Sequence, residues 1–149
     1  MGRKERLWME SSRKTAKQTV GDIQRLLGEY NAKSVFVEYE GGEVVSVSFE
    51  LEVNGKKLPF RLPCRWEAVY KRLMKRKMRG IRRVDKVTED AKRIAWRQTY
   101  RWVEAQLAYV DTEMVKPEEV FLSYLIMSEG KTLFEMVEER KFRLLEYKG

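Results

Sequence analysis

The sequence predicts an α+β fold in which a three-stranded antiparallel β-meander packs against helices, one of them long and central. Residues 34–62 alternate between apolar and polar side chains and are divided by two short glycine turns. The remaining sequence repeats apolar residues at helical spacing, and its longest pattern is apolar on two sides. A chain of 149 residues is large enough for a real hydrophobic core.

The domain prediction is a single α+β domain over residues 19–149, preceded by a flexible basic arm over residues 1–18. The arm is polar and basic, with Trp8 as its exception. Thr19, followed three residues later by Asp22, resembles a capping box and predicts the start of the first helix. Apolar residues follow at helical spacing, and Asn31 is a suitable stop.

The meander is the clearest local prediction. The segment Ser34–Glu40 is rich in β-forming residues, and Gly41-Gly42 suits a two-residue turn. In Glu43–Val53, apolar residues alternate strictly with serine and glutamate, which predicts a strand with one wet face. Asn54-Gly55 is the favoured type I′ pair and leads into a third strand over residues 57–62, where Pro59 predicts an edge position.

Helices are predicted after the sheet. An apolar stripe beginning at Trp66 indicates a helix that Gly80 ends, and residues 81–87 form a basic connector. Thr88 is the predicted cap of the long central helix, which runs from about residue 89 to beyond residue 110. Pro117 begins another helix, residues 120–127 suit either a helix or a buried strand, and Thr132 opens a last helix through a capping box.

Charge is concentrated in one part of the chain. Between Arg61 and Lys86 there are 11 Lys and Arg residues against 2 acidic ones, a net charge of +9, whereas the whole chain is +8. A cluster of this density attracts polyanions, of which nucleic acid is the commonest. The expected function is therefore that of a non-enzymatic nucleic-acid-binding accessory protein, with DNA and RNA both open.

The predicted phosphate contacts form two groups. The first is a basic helix with its connector: Arg65, Lys71, Arg72, Lys75, Arg76, Lys77, Arg79, Arg82, Arg83 and Lys86. The second is a helical stripe with a rise of about 6 Å per step: Arg93, Arg97 and Arg101. Ordinary surface pairing is the alternative, through the acidic sheet face for the first group and through Glu89 and Glu104 for the second.

Aromatic side chains could add base stacking to phosphate contact. Tyr39, Tyr70 and Trp8 are the candidates for such stacking, although core packing is the commoner role of an aromatic residue.

The sequence gives little support for an enzymatic function. The chain has no histidine, and Cys64 is its only cysteine, which removes Ser-His and Cys-His catalysis, an intrachain disulfide and a cysteine zinc site. No catalytic residue, metal ligand or cofactor is therefore expected. A Mg²⁺-dependent nuclease remains a third hypothesis, since carboxylates are close in sequence at Glu50 and Glu52, at Asp85, Glu89 and Asp90, and in the Glu146-x-Lys148 pattern.

Neither a signal peptide nor a membrane span is predicted. The first residues are polar and basic, and no apolar run reaches the ~18 residues of a spanning helix. We therefore expect a cytoplasmic protein with no membrane partner.

Several separated segments carry a family resemblance: residues 19–27 (TVGDIQRLL), 60–63 (FRLP), 91–97 (AKRIAWR), 102–108 (WVEAQLA), 120–122 (VFL) and 130–135 (GKTLFE). In this order they resemble a family of small proteins encoded in bacteriophage and prophage genomes, usually without an assigned function. The resemblance covers most of residues 19–138 and departs from the expected pattern at Ser123, where proline is expected.

The resemblance implies a mobile-element protein that works in a bacterial cytoplasm. It raises two expectations together, nucleic-acid handling and inhibition of a host machine. The alternative function is accordingly a protein-interaction module, an inhibitor or adaptor acting on a host or defence ribonucleoprotein. Oligomeric state stays open, because a long helix with two apolar sides suits a dimer interface as well as a monomer core.

Overall fold

A computed structural model of the chain describes residues 6–76 and 84–143. Over these ranges the α+β prediction is confirmed, with a three-stranded antiparallel sheet and one long helix. The chain divides into two compact units. Unit 1 comprises Met1–Leu26 and Pro63–Ala105, and unit 2 comprises Leu27–Leu62 and Gln106–Gly149.

The elements follow one another in a simple order. They are α1 (Ala16–Glu29), β1 (Ser34–Glu40), β2 (Glu43–Val53), β3 (Lys56–Arg61), α2 (Trp66–Met74), α3 (Val84–Asp111), α4 (Pro117–Val120) and α5 (Leu133–Glu139). Two single 3₁₀ turns, Leu122–Tyr124 and Ser128–Gly130, lie between α4 and α5. Both α1 and α3 contribute residues to each unit.

The sheet of unit 2 is formed by two tight hairpins, as predicted. The strand order is β1-β2-β3, and Gly41 and Gly42 have φ of 59° and 82° while Asn54 and Gly55 have φ of 51° and 80°. A type I′ turn requires positive φ at both central residues, which glycine and asparagine adopt at low cost. The strands lie within one residue of their predicted positions.

Three phenylalanines form the centre of the unit 2 core. Phe49 of β2, Phe60 of β3 and Phe121 are fully buried, and their ring centroids lie 5.3 to 5.9 Å apart. Such distances are within the favourable range for aromatic pairs. The core therefore joins the sheet to the segment that follows α4.

That segment is neither the helix nor the regular strand that its apolar run suggests. After the 3₁₀ turn, Leu125 makes an isolated antiparallel bridge with Phe60, and Ile126 bridges Thr132. The N–H of Ile126 donates to the carbonyl of Pro59 at 2.8 Å. The segment thus covers the outer edge of β3. The sequence predicts β3 to be an edge strand because Pro59 has no N–H to donate to a further strand.

The helix α1 of unit 1 begins earlier than the sequence pattern suggests. The hydroxyl of Thr15 accepts the backbone N–H of Gln18 at 3.1 Å, and the Gln18 side chain accepts the Thr15 N–H at 3.0 Å. This reciprocal capping box begins one turn before the predicted cap, Thr19, which is fully buried inside the helix. Residues 16–18 of the predicted arm are therefore helical.

The long helix α3 also begins before its predicted cap. Thr88 lies inside the helix, and its hydroxyl donates to the carbonyl of Val84 at 2.9 Å. Residues 84–87 of the predicted connector are therefore helical. Val87 is 1% exposed and belongs to a cluster with Leu73, Ala91 and Ile94, which explains why the helix extends this far.

Candidate nucleic-acid interface

The helix α2 separates apolar and basic side chains onto opposite faces. Trp66, Val69, Tyr70 and Leu73 lie in the core cluster of unit 1. The opposite face carries what we call the α2 basic face, which consists of Lys71, Arg72 and the C-cap residue Lys75. This division follows from the spacing of apolar residues at three and four positions.

The α2 basic face is available to an external anion. Lys71 and Lys75 are exposed and Arg72 is half-buried. Within residues 6–76 and 84–143, no carboxylate forms an ion pair with any of these three side chains. Glu67 is the only acidic residue of α2, so the helix cannot neutralise its own charge. Cations near a helix C-terminus are also favoured by the helix dipole, which gives this face a structural benefit as well.

Arg76, the next predicted contact, has an internal partner. Its Nη1 donates to Oε2 of Glu10 at 2.8 Å, and its Nη2 donates to the other carboxylate oxygen. The arginine side chain is 15% exposed and that of Glu10 is 25% exposed. The hydrogen bond from Arg76 is the main reason that the pKa of Glu10 falls to about 2. Arg76 therefore forms a bidentate pair with Glu10, which holds the N-terminal segment in place.

The arginine stripe of α3 is engaged in the same way. Arg93 donates to the backbone carbonyls of Glu10 and Ser12, the first at 3.0 Å. Its Nη2 lies 3.5 Å from a carboxylate oxygen of Asp90, and not against the expected Glu89. These contacts hold part of the predicted arm to α3.

Arg97 and Arg101 complete the stripe. Arg97 donates to Oδ2 of Asp22 at 3.0 Å, both side chains are about one-tenth exposed, and its guanidinium lies 4.3 Å from the Tyr100 ring centroid. Arg101 is more exposed and makes the expected local pair with Glu104 at 2.9 Å. Of the three arginines in the stripe, only Arg101 is open enough to meet a phosphate without opening a partly buried contact.

Asp22 is the acceptor for three cations of unit 1. Lys14, Arg25 and Arg97 approach its carboxylate at 3.2, 3.1 and 3.0 Å. Burial alone would raise the pKa of this carboxyl, but the hydrogen bonds from the three cations outweigh burial and hold the pKa below its usual value. This role of Asp22 is not predicted by the sequence, where the residue is recognised only as part of a capping pattern.

The remaining predicted contacts have mixed positions. Lys86 is exposed and lies 3.4 Å from Asp90. Arg65, immediately before α2, is exposed. Four predicted contacts lie outside the described residues, and their place in the interface stays a prediction: Lys77, Arg79, Arg82 and Arg83.

The division into units also divides the charge. Unit 1 contains 21 of the 31 Lys and Arg residues and 8 of the 23 Asp and Glu residues, a net charge of +13. Unit 2 contains the other 10 and 15, a net charge of −5. An open cleft of unit 2 is itself lined by the carboxylates of Glu29, Asp111 and Glu113. A polyanion is therefore attracted to unit 1 and repelled by unit 2.

The stacking candidates are separated by the same division. Trp8 is 56% exposed in unit 1, and its carbonyl accepts a hydrogen bond from Gln98 at 2.9 Å. Tyr70 packs in the core of unit 1 against Trp66. Tyr39 is 64% exposed but lies in unit 2 among glutamates. Trp8 is therefore the one of these three candidates whose ring is exposed within the positively charged unit.

Several of the carboxylates considered for a nuclease have other partners. Ser34 donates to Glu50, Lys33 lies 3.4 Å from Glu52, and Asp90 pairs with Lys86 and Arg93. In the described part of the chain, no group of three or more His, Cys, Asp or Glu residues is arranged to hold a metal ion. The Glu146-x-Lys148 pattern lies outside the described residues.

Cys64 does not suit a nucleophile. Burial is the main reason that the pKa of its thiol rises to about 12, so the thiol stays protonated at neutral pH. The thiolate is the reactive form of cysteine.

Over residues 6–76 and 84–143, none of the helices is both long enough and apolar enough to cross a bilayer.

Comparison with protein-family models, with curated proteins and with solved structures finds no match to this chain.

The Glu10–Arg76 pair makes a prediction about acid stability. Because the pKa of Glu10 is about 2 in the folded protein against an ordinary value of 4.5, its contribution is complete above pH 4.5 and is lost as the pH falls towards 2. We expect Glu10→Gln to lower the free energy of unfolding at pH 7 by about 1 kcal/mol, allowing for solvent screening of the pair. The difference from wild type should shrink as the pH falls, which urea unfolding curves at several pH values will measure. A difference that stays constant with pH would contradict the assignment.

Proposed function

We propose that this protein is a non-enzymatic nucleic-acid-binding accessory protein of a phage or mobile element, acting in a bacterial cytoplasm. It contacts phosphates through the α2 basic face and the cationic sequence that follows α2. The observation that carries the proposal is that Lys71, Arg72 and Lys75 lie on one face of α2, the two lysines exposed and Arg72 half-buried, with no carboxylate partner in the described chain. Unpaired basic surfaces bind polyanions by releasing counterions, with little dependence on base sequence.

Contacts within the protein reduce the number of basic residues that we propose to contact phosphates. Arg76, Arg93 and Arg97 would each have to give up a carboxylate or a carbonyl partner before meeting a phosphate. The α2 basic face gives up no such partner. The next cations along the chain are Lys77, Arg79, Arg82 and Arg83, so the proposed contact surface continues beyond α2 in sequence. Arg65, Lys86 and Arg101 are proposed as peripheral contacts.

The test is fluorescence anisotropy with labelled single- and double-stranded DNA and RNA at about 50 to 300 mM salt. We expect the triple variant K71E/R72E/K75E to bind at least about tenfold more weakly than wild type. For duplex DNA, the slope of log affinity against log salt should become shallower by about 2 to 3, since each phosphate contact contributes about 0.9. Whether the protein prefers DNA or RNA, and single or double strands, will narrow its biological role.

A matched control separates local contact from total charge. The variant K56E/K57E/K141E makes the same change in net charge, but its three lysines are exposed residues of unit 2. We expect it to retain much more affinity than K71E/R72E/K75E, because the two variants change the net charge equally and only one of them changes the α2 basic face. Equal losses in the two variants, or no binding by wild type at low salt, would refute the proposal.

The alternative function is a protein-interaction module that inhibits or adapts a host or defence ribonucleoprotein. Exposed aromatic residues in the acidic unit, Phe36 and Tyr39, favour it, because aromatic side chains are enriched at protein interfaces. Breadth of binding separates the two functions. A nucleic-acid binder engages generic oligonucleotides with a steep salt dependence, whereas an adaptor binds one protein tightly and generic DNA poorly.

A further inference from the structure

The β1–β2 hairpin of unit 2 has an unusual composition. From residue 34 to residue 53 it contains five glutamates and no lysine or arginine, a net charge of −5. Glu38 and Glu40 are exposed on β1. A surface of this sign repels nucleic acid, so it has no place in the phosphate interface of unit 1.

Two exposed aromatic residues lie on β1, one on each face of the sheet. Phe36 lies opposite Ser48 and Tyr39 lies opposite Val44, on the far side of a register shift between Glu38 and Tyr39. The residue left unpaired by the shift, Val45, lies on β2, so β1 alternates without interruption and places Phe36 on one face with Glu38 and Glu40 and Tyr39 on the other face. Phe36 and Tyr39 are 54% and 64% exposed, so both rings are presented to solvent beside the glutamates.

The outer edge of β1 is also open. β1 is an end strand of the sheet, and no other strand of the described chain pairs with its outer side. The opposite edge of the sheet, β3, is protected, because it contains Pro59 and is covered at Phe60 by Leu125. Edge strands are commonly protected by lysine, by proline or by a bulge. β1 has neither lysine nor proline, and its register shift leaves residues 34–38 as a regular edge.

We propose that the β1–β2 hairpin is a docking surface for a basic, extended segment of another protein, which adds to the sheet along β1. Backbone hydrogen bonds to the open edge would supply affinity, and the side chains on the two faces of the segment would cover Phe36 on one face and Tyr39 on the other. Charge complementarity selects the occupant, since lysine or arginine in the segment would meet Glu38 and Glu40. A second copy of this hairpin is disfavoured because each copy is net −5. This surface goes beyond the proposed function and lies in the other unit.

The experiment titrates the full-length, ¹⁵N-labelled protein with a short peptide in which lysine alternates with valine, followed by two-dimensional NMR at low salt. We expect the amide signals of residues 34–40 to shift and their hydrogen exchange to slow. A peptide in which glutamate alternates with valine should leave the spectrum unchanged. The double variant E38K/E40K should weaken binding of the lysine peptide by about tenfold, because two attractions become repulsions.

Controls separate this site from general acidity and from the phosphate interface. The variant E113K/E138K makes the same charge change at exposed residues of unit 2 outside the hairpin, and it should bind the peptide nearly as wild type does. F36T/Y39T should weaken peptide binding and leave oligonucleotide binding unchanged. Absence of shifts at low salt, shifts located outside the hairpin, or equal affinity of E38K/E40K and wild type would each overturn the proposal. None of these outcomes depends on nucleic-acid binding.

Discussion

Replacing Phe121 with alanine should lower the free energy of unfolding by about 4 kcal/mol, one of the largest single-residue effects expected in this chain. The side chain is fully buried, and its ring meets Phe49 at 5.3 Å in an edge-to-face arrangement and Phe60 at 5.9 Å. Alanine would remove this apolar surface from the core and leave a cavity that two rigid strands cannot fill. Urea unfolding followed by circular dichroism will measure the loss.

The neighbouring residue provides the control. Leu122 is 49% exposed, and Leu122→Ala should cost less than about 1 kcal/mol because little apolar surface leaves the core. Similar costs for the two variants would contradict the packing of residues 121–126 on the sheet. Because Phe121 belongs to unit 2, Phe121→Ala should retain its affinity for oligonucleotides under conditions where the variant is still folded.

The two hairpins could be predicted from the sequence because their determinants are local. Gly41-Gly42 and Asn54-Gly55 adopt positive φ, and few other residue pairs accept that conformation cheaply. The alternation of β2 then assigned its residues to two faces, and Val47, Phe49 and Leu51 are indeed buried. A strand with this pattern has one register that buries its apolar side.

Helix starts were less predictable because cap patterns are degenerate. Thr15 with Gln18 and Thr19 with Asp22 both resemble capping boxes, and the two patterns lie one helical turn apart. The structure uses the first, which frees Asp22 to accept three cations. The prediction of a helix or a buried strand for residues 120–127 was wrong for another reason. An apolar run indicates that residues pack against the protein but not which secondary structure they adopt. Here the run packs along the edge of β3 without forming a regular helix or strand.

The candidate interface could be predicted in part. The α2 basic face follows from helical periodicity, which is a property of neighbouring residues in sequence. The acceptors of the long-range hydrogen bonds from Arg76, Arg93 and Arg97 lie 66 to 83 residues away, and no local pattern gives contacts over such separations. The acidic hairpin could be recognised in the sequence as a stretch without lysine or arginine, but the register shift at Glu38 could not. That irregularity is a feature of the folded sheet.

Arg97→Ala should lower the free energy of unfolding by about 2 kcal/mol and should change oligonucleotide affinity by less than about twofold. Its guanidinium is held between the Asp22 carboxylate and the Tyr100 ring, so its removal leaves a poorly hydrated carboxylate with one donor fewer. Arg101→Ala is the matched control on the same stripe. Arg101 is 42% exposed and pairs with Glu104 within one turn, a class of contact worth about 0.5 kcal/mol or less.

Coupling between Asp22 and Arg97 decides whether the stripe is structural or functional. Asp22→Asn should destabilise the fold by an amount similar to Arg97→Ala, and the double variant should cost less than the two losses combined, because each single variant removes the same contact. Additive losses would show that the pair is not formed in solution. If Arg97→Ala instead left stability unchanged and weakened oligonucleotide binding as strongly as K71E/R72E/K75E, the phosphate surface would extend onto α3. The α2 basic face would then be one part of a wider interface, and Arg93 and Arg97 would return to it as direct contacts.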